Sequence, residues 1–168
     1  MPVLRPLVAV LLGVSLVACG GGGGKDKETK VTTTGTAGPG VKNDGTAVSV
    51  KALLSGADVV PGPGVKEGVG ALLLSLSGTQ GCYTLKVTMG EKPTMAHIHQ
   101  AAKGASGPPV IDLKPSFAPD EAALVAKSCV DIPAATVAKL IGDPSAYYVN
   151  VHSLEHPDGA LRGQLARF

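Results

Sequence analysis

Two stretches decide the fold of this chain: Met95-Ala96-His97-Ile98-His99 and Tyr147-Tyr148-Val149-Asn150-Val151-His152. Both alternate apolar and polar residues, which is the pattern of a β-strand. Successive strand side chains point to opposite faces, so the two histidines of the first stretch share one face and its alanine and isoleucine share the other. In the second stretch the valines turn toward the core, and the asparagine and histidine turn outward. If the two strands lie side by side, three of the four histidines gather on one surface.

Short apolar or alternating runs bounded by Gly and Pro recur after residue 46 and predict seven strands. These are Ala47–Leu54, Val69–Ser77, Cys82–Met89, Met95–Gln100, Pro109–Leu113, Tyr147–His152 and Ala160–Ala166. Short strands separated by Gly and Pro are typical of an all-β fold, an antiparallel, Greek-key-like β-sandwich. The segment Pro133–Ile141 begins with proline, continues with helix formers and is followed by Gly142, which predicts one short helix before the last hairpin.

The first 18 residues have the features of a secretory signal. One cation, Arg5, precedes an apolar run over residues 7–17 that is too short to span a bilayer comfortably. The run ends in Leu16-Val17-Ala18-Cys19, which resembles the bacterial lipobox, whose cysteine is lipidated and becomes the first residue of the mature protein. We therefore predict a lipoprotein signal peptide at residues 1–18 and a lipid on Cys19, with an ordinary signal peptide cut near Ala18 as the alternative.

Residues 19–45 are predicted to be a lipidated cysteine and a flexible, Gly-rich tether. Five glycines follow Cys19, and the stretch after them has no sustained apolar period, so it cannot bury enough surface to offset the entropy of ordering it. Residue 20 is glycine and not the aspartate that often retains lipoproteins in the inner membrane. We expect a cell-envelope protein anchored to a membrane by its lipid, the outer membrane in a Gram-negative host, with the domain of residues 46–168 outside the cytoplasm.

The charges of residues 46–168 balance, with ten Lys and Arg against ten Asp and Glu. A balanced domain presents no basic patch, so the sequence argues against nucleic acid as a partner. The chain has no tryptophan and few other aromatic residues, which disfavours a stacking surface for bases or sugars.

Two cysteines, Cys82 and Cys129, remain beyond Cys19. In a protein that reaches an oxidising compartment, two such cysteines predict a disulfide. Closing the loop between them would contribute on the order of 4 kcal/mol of stability, an upper figure because strain reduces it.

The histidines predict a metal site that uses copper or zinc. An H-x-H pair on one strand places His97 and His99 about 6–7 Å apart on one face, and His152 on a neighbouring strand could supply a third nitrogen. Imidazole ligands suit copper and zinc better than calcium or magnesium, which prefer oxygen. His156 follows at the start of the turn and could reach the same ion. The alternative is a polar patch in which the histidines only hydrogen-bond to neighbouring carboxylates or amides.

A second set of polar residues lies beside the histidines. Arg162 and Gln164 flank Gly163 in the last strand and project to one side, and Asn150 lies across the hairpin from them. These three residues predict a binding surface for a ligand or partner, although cross-strand pairing alone would also explain them.

The motifs together resemble a known family. They are Ala96-His97-Ile98-His99, the loop and strand over residues 104–110, Tyr148-Val149-Asn150-Val151-His152, and Gly159-Ala160-Leu161-Arg162-Gly163-Gln164-Leu165. This combination resembles the CHRD domain, named from chordin and widespread in bacterial secreted proteins, over about residues 48–166. The resemblance implies an all-β fold without an established activity. The bacterial variant of the family, with cysteines placed like Cys82 and Cys129, supports the disulfide.

A fainter similarity connects the chain with copper/zinc superoxide dismutases, which also place an H-x-H pair on a strand of a β-sandwich. The sequence departs from them, since it offers no bridging histidine, no further zinc cluster and no context for a dismutase active-site arginine. The leading hypothesis is a non-enzymatic binding module for a protein partner or a metal ion. The alternatives are a copper-dependent redox enzyme on the same surface and a purely structural envelope domain.

Overall fold

A computed structural model of the protein describes residues 46–168, so the predicted signal peptide, Cys19 and tether lie outside the described residues. The described part contains ten strands, one α-helix and a short 3-10 helix, Pro144–Ala146. The strands and the helix are β1 (Val48–Ser55), β2 (Val69–Ser77), β3 (Gln80–Thr88), β4 (Pro93–Gln100), β5 (Pro109–Asp112), β6 (Ala118–Asp120), β7 (Ala123–Asp131), α1 (Ala134–Gly142), β8 (Tyr147–Ser153), β9 (Leu161–Gln164) and β10 (Ala166–Arg167). Over residues 46–168 no helix is long and apolar enough to cross a membrane.

The strands pair in one antiparallel sheet with the order β5-β4-β8-β9-β1-β2-β3-β7-β6, and β10 also pairs with β1. Strand β1 therefore joins two arms of the sheet. One arm continues from β1 through β2 and β3 to β7 and β6, and the other continues through β9 and β8 to β4 and β5. The chain changes arm after β3, after β5 and again after α1, so neighbours in the sheet are often distant in sequence.

The inner faces of both arms contribute to one hydrophobic core. Strands β1, β2 and β3 bury alternate residues such as Leu54, Leu74 and Leu85, which is the period of a half-buried strand. Ile98 of β4 and Val149 of β8 belong to the same cluster of buried residues. A curled sheet whose two arms share one core is the architecture of a sandwich, and the predicted all-β fold is confirmed.

The predicted helix is confirmed to within one residue, since α1 begins directly after Pro133 and buries Val137 and Leu140. Each of the seven predicted strands is present. The last one is divided at Leu165 into β9, which pairs with β8 and β1, and β10, which pairs with β1. Gly163 lets β9 lie close to β1, where any larger residue would collide with the Leu53 carbonyl.

The prediction missed β6 and β7. Strand β7 does not alternate, because Lys127, Ser128 and Cys129 are all exposed in succession. Strand β6 is three residues long and contains Pro119. Strand β6 is the edge strand of this arm, and β7 lies between it and β3. Only Ala123 and Ala126 of β7 are buried, so its sequence carries a weak apolar pattern.

The predicted disulfide joins β3 to the missed strand β7. Cys82 and Cys129 are direct partners in the register of these two strands, and their Cα atoms are 4.0 Å apart. The bond closes a loop with a sequence separation of 47 residues and ties β7, the strand next to the edge of this arm, to β3.

The loop between β8 and β9, residues 154–160, is held by one carboxylate. The Ser153 hydroxyl donates to Glu91 Oε2, and the His156 amide donates to the Ser153 hydroxyl oxygen at 2.9 Å. His156 Nδ1 lies 2.9 Å from the same Glu91 oxygen. The hydrogen bond from Ser153 is the main cause that lowers the pKa of Glu91 below its ordinary value, and the hydrogen bond and the charge of His156 add to it.

Replacing both cysteines, Cys82→Ser with Cys129→Ser, is expected to lower the free energy of unfolding by up to about 4 kcal/mol, because the unfolded chain gains the entropy of an open loop. Denaturant unfolding followed by circular dichroism measures the loss, and reduction of the wild-type bond gives the matched comparison. A double variant as stable as the oxidised wild type would contradict the expectation.

Glu91 is expected to make the fold sensitive to acid. Its pKa is lowered in the folded protein, so its contribution to stability is present above its unfolded pKa, about 4.5, and is lost as the pH falls through the folded pKa. Unfolding measured from about pH 6 down to pH 3 should show this loss in the wild type and a smaller one in Glu91→Gln. Equal slopes for the two proteins would show that this carboxylate does not stabilise the loop.

Candidate functional site

Three histidines meet on the outer face of the β4–β8 pair. His97 and His99 lie on β4, His152 lies on β8, and one ring nitrogen of each falls within 4.8 Å of the others. The shortest approach is 3.2 Å, between His97 Nδ1 and His152 Nε2. The cluster exists because Ala96 and Val151, which are cross-strand partners, both turn into the core and leave the histidines on the opposite face.

Two of the imidazoles are oriented by backbone carbonyls. His99 Nδ1 lies 2.9 Å from the Gly107 oxygen, and His152 Nδ1 lies 2.9 Å from the Pro157 oxygen. A carbonyl oxygen only accepts hydrogen bonds, so each Nδ1 carries the proton and each Nε2 keeps its lone pair. Glycine is required at 107, because a side chain there would collide with the Gln100 carbonyl.

The third imidazole has a carboxylate on its far side. His97 Nε2 lies 3.8 Å from Asp112 Oδ1, and Asp112 is its direct partner on β5. Because His152 Nε2 carries no proton, the 3.2 Å contact is a hydrogen bond that His97 Nδ1 donates to it. Moving this proton to Nε2, which faces the Asp112 carboxylate, would free the Nδ1 lone pair for a metal ion. In each of the three rings one nitrogen, the outer nitrogen, faces an oxygen atom outside the cluster, and the other nitrogen points toward the other two rings. This is the usual arrangement around histidines that bind a metal.

The three histidines are held in the neutral form. Burial is the main cause that lowers the pKa of His97, of His99 and of His152 below the ordinary value. The Asp112 carboxylate beside His97 and the carbonyls of Gly107 and Pro157 beside His99 and His152 act in the opposite direction, and burial outweighs them. Neutral imidazole is the form that coordinates copper or zinc.

The nitrogen positions fit one transition metal ion. Bonds of about 2.0–2.1 Å in tetrahedral geometry separate two coordinating nitrogens by about 3.3 Å, close to the His97 to His152 approach. His99 Nε2 is buried and has no hydrogen-bond partner. The ligand nitrogens lie within 4.8 Å of one another, so the cluster would contract by up to about 1.5 Å for this nitrogen to bind the same ion. Three nitrogens leave a further position open for another ligand.

The outer face of the sheet is covered here, and this corrects the expectation that its polar residues are exposed. Asn150 is 5% exposed, His152 6% and Arg162 2%. Two loops cover this side of the sheet: residues 101–108 between β4 and β5, and residues 154–160 between β8 and β9. The alternation predicted the face of each side chain correctly, but both faces of β8 are buried.

Arg162 and Gln164 hold the first of these loops in place. Arg162 Nη2 donates to the Ala102 and Ala105 carbonyls at 3.2 and 2.8 Å, and Gln164 Nε2 donates to the Ala101 carbonyl at 2.8 Å. The predicted binding surface of Asn150, Arg162 and Gln164 is therefore not an open one. Its buried atoms without a partner are Asn150 Oδ1, Arg162 Nη1 and Gln164 Oε1.

Tyr148 is a site residue that the sequence reasoning missed. It is the cross-strand partner of His99, and the two rings stack with centroids 4.9 Å apart. The Arg162 guanidinium lies 3.7 Å from the centre of the Tyr148 ring. The Tyr148 hydroxyl accepts a hydrogen bond from the Gly107 amide, so it supports the residue that orients His99. The sequence does indicate its position, because Tyr148 precedes Asn150 by two residues on β8 and therefore shares the outer face.

His156, the fourth histidine, does not join the cluster. Its Nδ1 is engaged by Glu91, and it is absent from the group of ligand atoms found among residues 46–168. Asn150 lies directly across from His97 and donates from Nδ2 to the Asp158 carbonyl at 3.1 Å. Both residues thereby help to place the loop that carries Pro157.

The comparison with known proteins identifies the domain. No curated protein and no solved structure matches the chain significantly. Residues 50–165 match the family described as the CHRD domain, and this range contains the three histidines, both bonded cysteines and the polar residues of β8 and β9. The match covers more than half of the chain, and the protein therefore belongs to the CHRD domain family.

Proposed function

We propose that this protein is a lipid-anchored, extracytoplasmic CHRD-domain protein that binds one transition metal ion, copper or zinc, through His97, His99 and His152. The observation that carries the proposal is the orientation of the three rings. Each outer nitrogen faces an oxygen of Gly107, Pro157 or Asp112, and the inner nitrogens lie within 4.8 Å of one another.

A purely structural role for the histidines leaves one group unexplained. His99 Nε2 is buried without a partner, and an unsatisfied buried polar atom costs about 1–3 kcal/mol. A bound metal ion would satisfy this nitrogen and would use the two ring nitrogens that His97 and His152 already direct at each other. Metal binding therefore accounts for both features with one ligand.

The location is proposed from the sequence. The apolar run and the Leu16-Val17-Ala18-Cys19 motif support processing at Cys19 and a lipid on its sulfur. In an oxidising envelope compartment the Cys82–Cys129 bond persists, and imidazole ligands, unlike thiolates, are not lost to oxidation.

Metal binding is tested by titrating the full-length protein in detergent with Zn(II) and with Cu(II) under calorimetry. We expect one ion per chain and a higher thermal unfolding midpoint when the metal is present, because the ion binds the folded state. His99→Ala and His152→Ala are expected to weaken binding at least about tenfold, since removing even an outer-shell partner has that effect.

His156→Asn is the matched control for the metal titration. It removes the fourth imidazole, which lies outside the cluster, and it retains a donor for Glu91. Wild-type protein that binds neither ion, or cluster variants that bind as tightly as this control, would contradict the proposed metal site.

The lipid anchor is tested separately by labelling cells with palmitate. We expect the wild type and Cys82→Ala to incorporate the label and Cys19→Ala to lose it, because only the lipobox cysteine accepts the lipid. Labelling of the Cys19→Ala protein would contradict the anchor.

A further inference from the structure

We propose that Met95 supplies a fourth, thioether ligand to the histidine cluster and that the site is thereby selective for cuprous copper over zinc. This inference rests on the proposed metal binding by the three histidines. It adds a ligand and chooses between the two metals.

The register of the sheet places Met95 beside the cluster. Met95 is the direct cross-strand partner of His152, and such partners have Cβ atoms about 4.5–5.5 Å apart. It also precedes His97 by two residues on β4, so it shares the outer face, about 6–7 Å along the strand. The Thr94 hydroxyl donates to the His152 carbonyl at 3.2 Å and fixes this end of β4 against β8.

Met95 lies on the side of the cluster that remains accessible. His99 is covered by the loop that carries Gly107, and His152 by the loop that carries Pro157. Met95 is 48% exposed, although its neighbour Ala96 is fully buried. An unbranched side chain with three rotatable bonds can turn its sulfur from solvent onto an ion that the three imidazoles hold.

The chemistry of the donor set then selects the metal. A thioether is a soft, neutral ligand that favours Cu(I), and three neutral imidazoles with one thioether add no charge to a monovalent ion. Zinc sites in proteins use imidazole, thiolate and carboxylate, and methionine is not among their usual ligands. Replacing the sulfur should therefore change Cu(I) binding and leave Zn(II) binding unaltered.

The test compares Met95→Leu with wild type, because leucine keeps the apolar volume and removes only the sulfur. Met89→Leu is the matched control, since Met89 is the other methionine of residues 46–168 and packs against the core. Cu(I) affinity is measured anaerobically by competition with bicinchoninate, and Zn(II) affinity by calorimetry, on the full-length protein in detergent. X-ray absorption at the copper edge reports a copper–sulfur bond directly.

We expect Met95→Leu to weaken Cu(I) binding at least about tenfold, to abolish the copper–sulfur scattering and to leave Zn(II) binding within about twofold, with Met89→Leu unchanged. Unaltered Cu(I) binding by Met95→Leu would overturn the proposed thioether ligand. Zn(II) binding by the wild type would in that case still support the three-histidine site. An equal loss of both metals would also overturn the thioether ligand, since packing and not ligation would be responsible. Wild type that binds neither metal would overturn the inference together with the proposed function.

Discussion

The register between β4 and β8 is the constraint on which the rest of the site depends. It pairs Ala96 with Val151 and Ile98 with Val149, and these four side chains form part of the core. The same register fixes His97, His99 and His152 on the other face. A slip of one residue would place imidazoles in the core and apolar side chains on the histidine face, so the hydrophobic effect that stabilises the sandwich also sets the geometry of the cluster.

The sheet places the three rings, and the two covering loops orient them. Each loop is fixed by a polar group that is remote in sequence. Arg162 of β9 reaches the Ala105 carbonyl across 57 positions, and Glu91, between β3 and β4, reaches His156 of the second loop across 65. Charge-assisted hydrogen bonds that are shielded from water are strong enough to hold a loop that has little apolar surface of its own. The burial of Arg162 and Asn150 thus serves the histidines indirectly, by holding the carbonyls that orient them.

Strand periodicity was sufficient to predict the all-β class, seven of the strands and the shared face of the histidines, and the proline, helix formers and glycine of residues 133–142 predicted α1. It could not predict β7, whose consecutive exposed residues Lys127, Ser128 and Cys129 have no period of two. It also treated Arg162 and Asn150 as exposed, because alternation reports which face a side chain takes and not what covers that face. The covering loops follow from contacts between distant residues, such as Gln164 with Ala101, that no local pattern contains.

The stack of Arg162, Tyr148 and His99 connects the strand contacts that place the histidine rings with the hydrogen bonds that hold the covering loop. Tyr148 packs its ring on His99 and its hydroxyl on the Gly107 backbone, so one side chain sets both the plane of the imidazole and the carbonyl that fixes its tautomer. The guanidinium on the far face of Tyr148 disfavours protonation of His99, because a second positive charge nearby raises the energy of the imidazolium. The arginine that fastens the loop therefore adds a small effect to burial, which is the main cause that lowers the pKa of His99. A neutral, oriented imidazole is what coordination of a metal ion requires. The stack orients the ring of His99, and the burial that it provides together with the covering loop favours the neutral form.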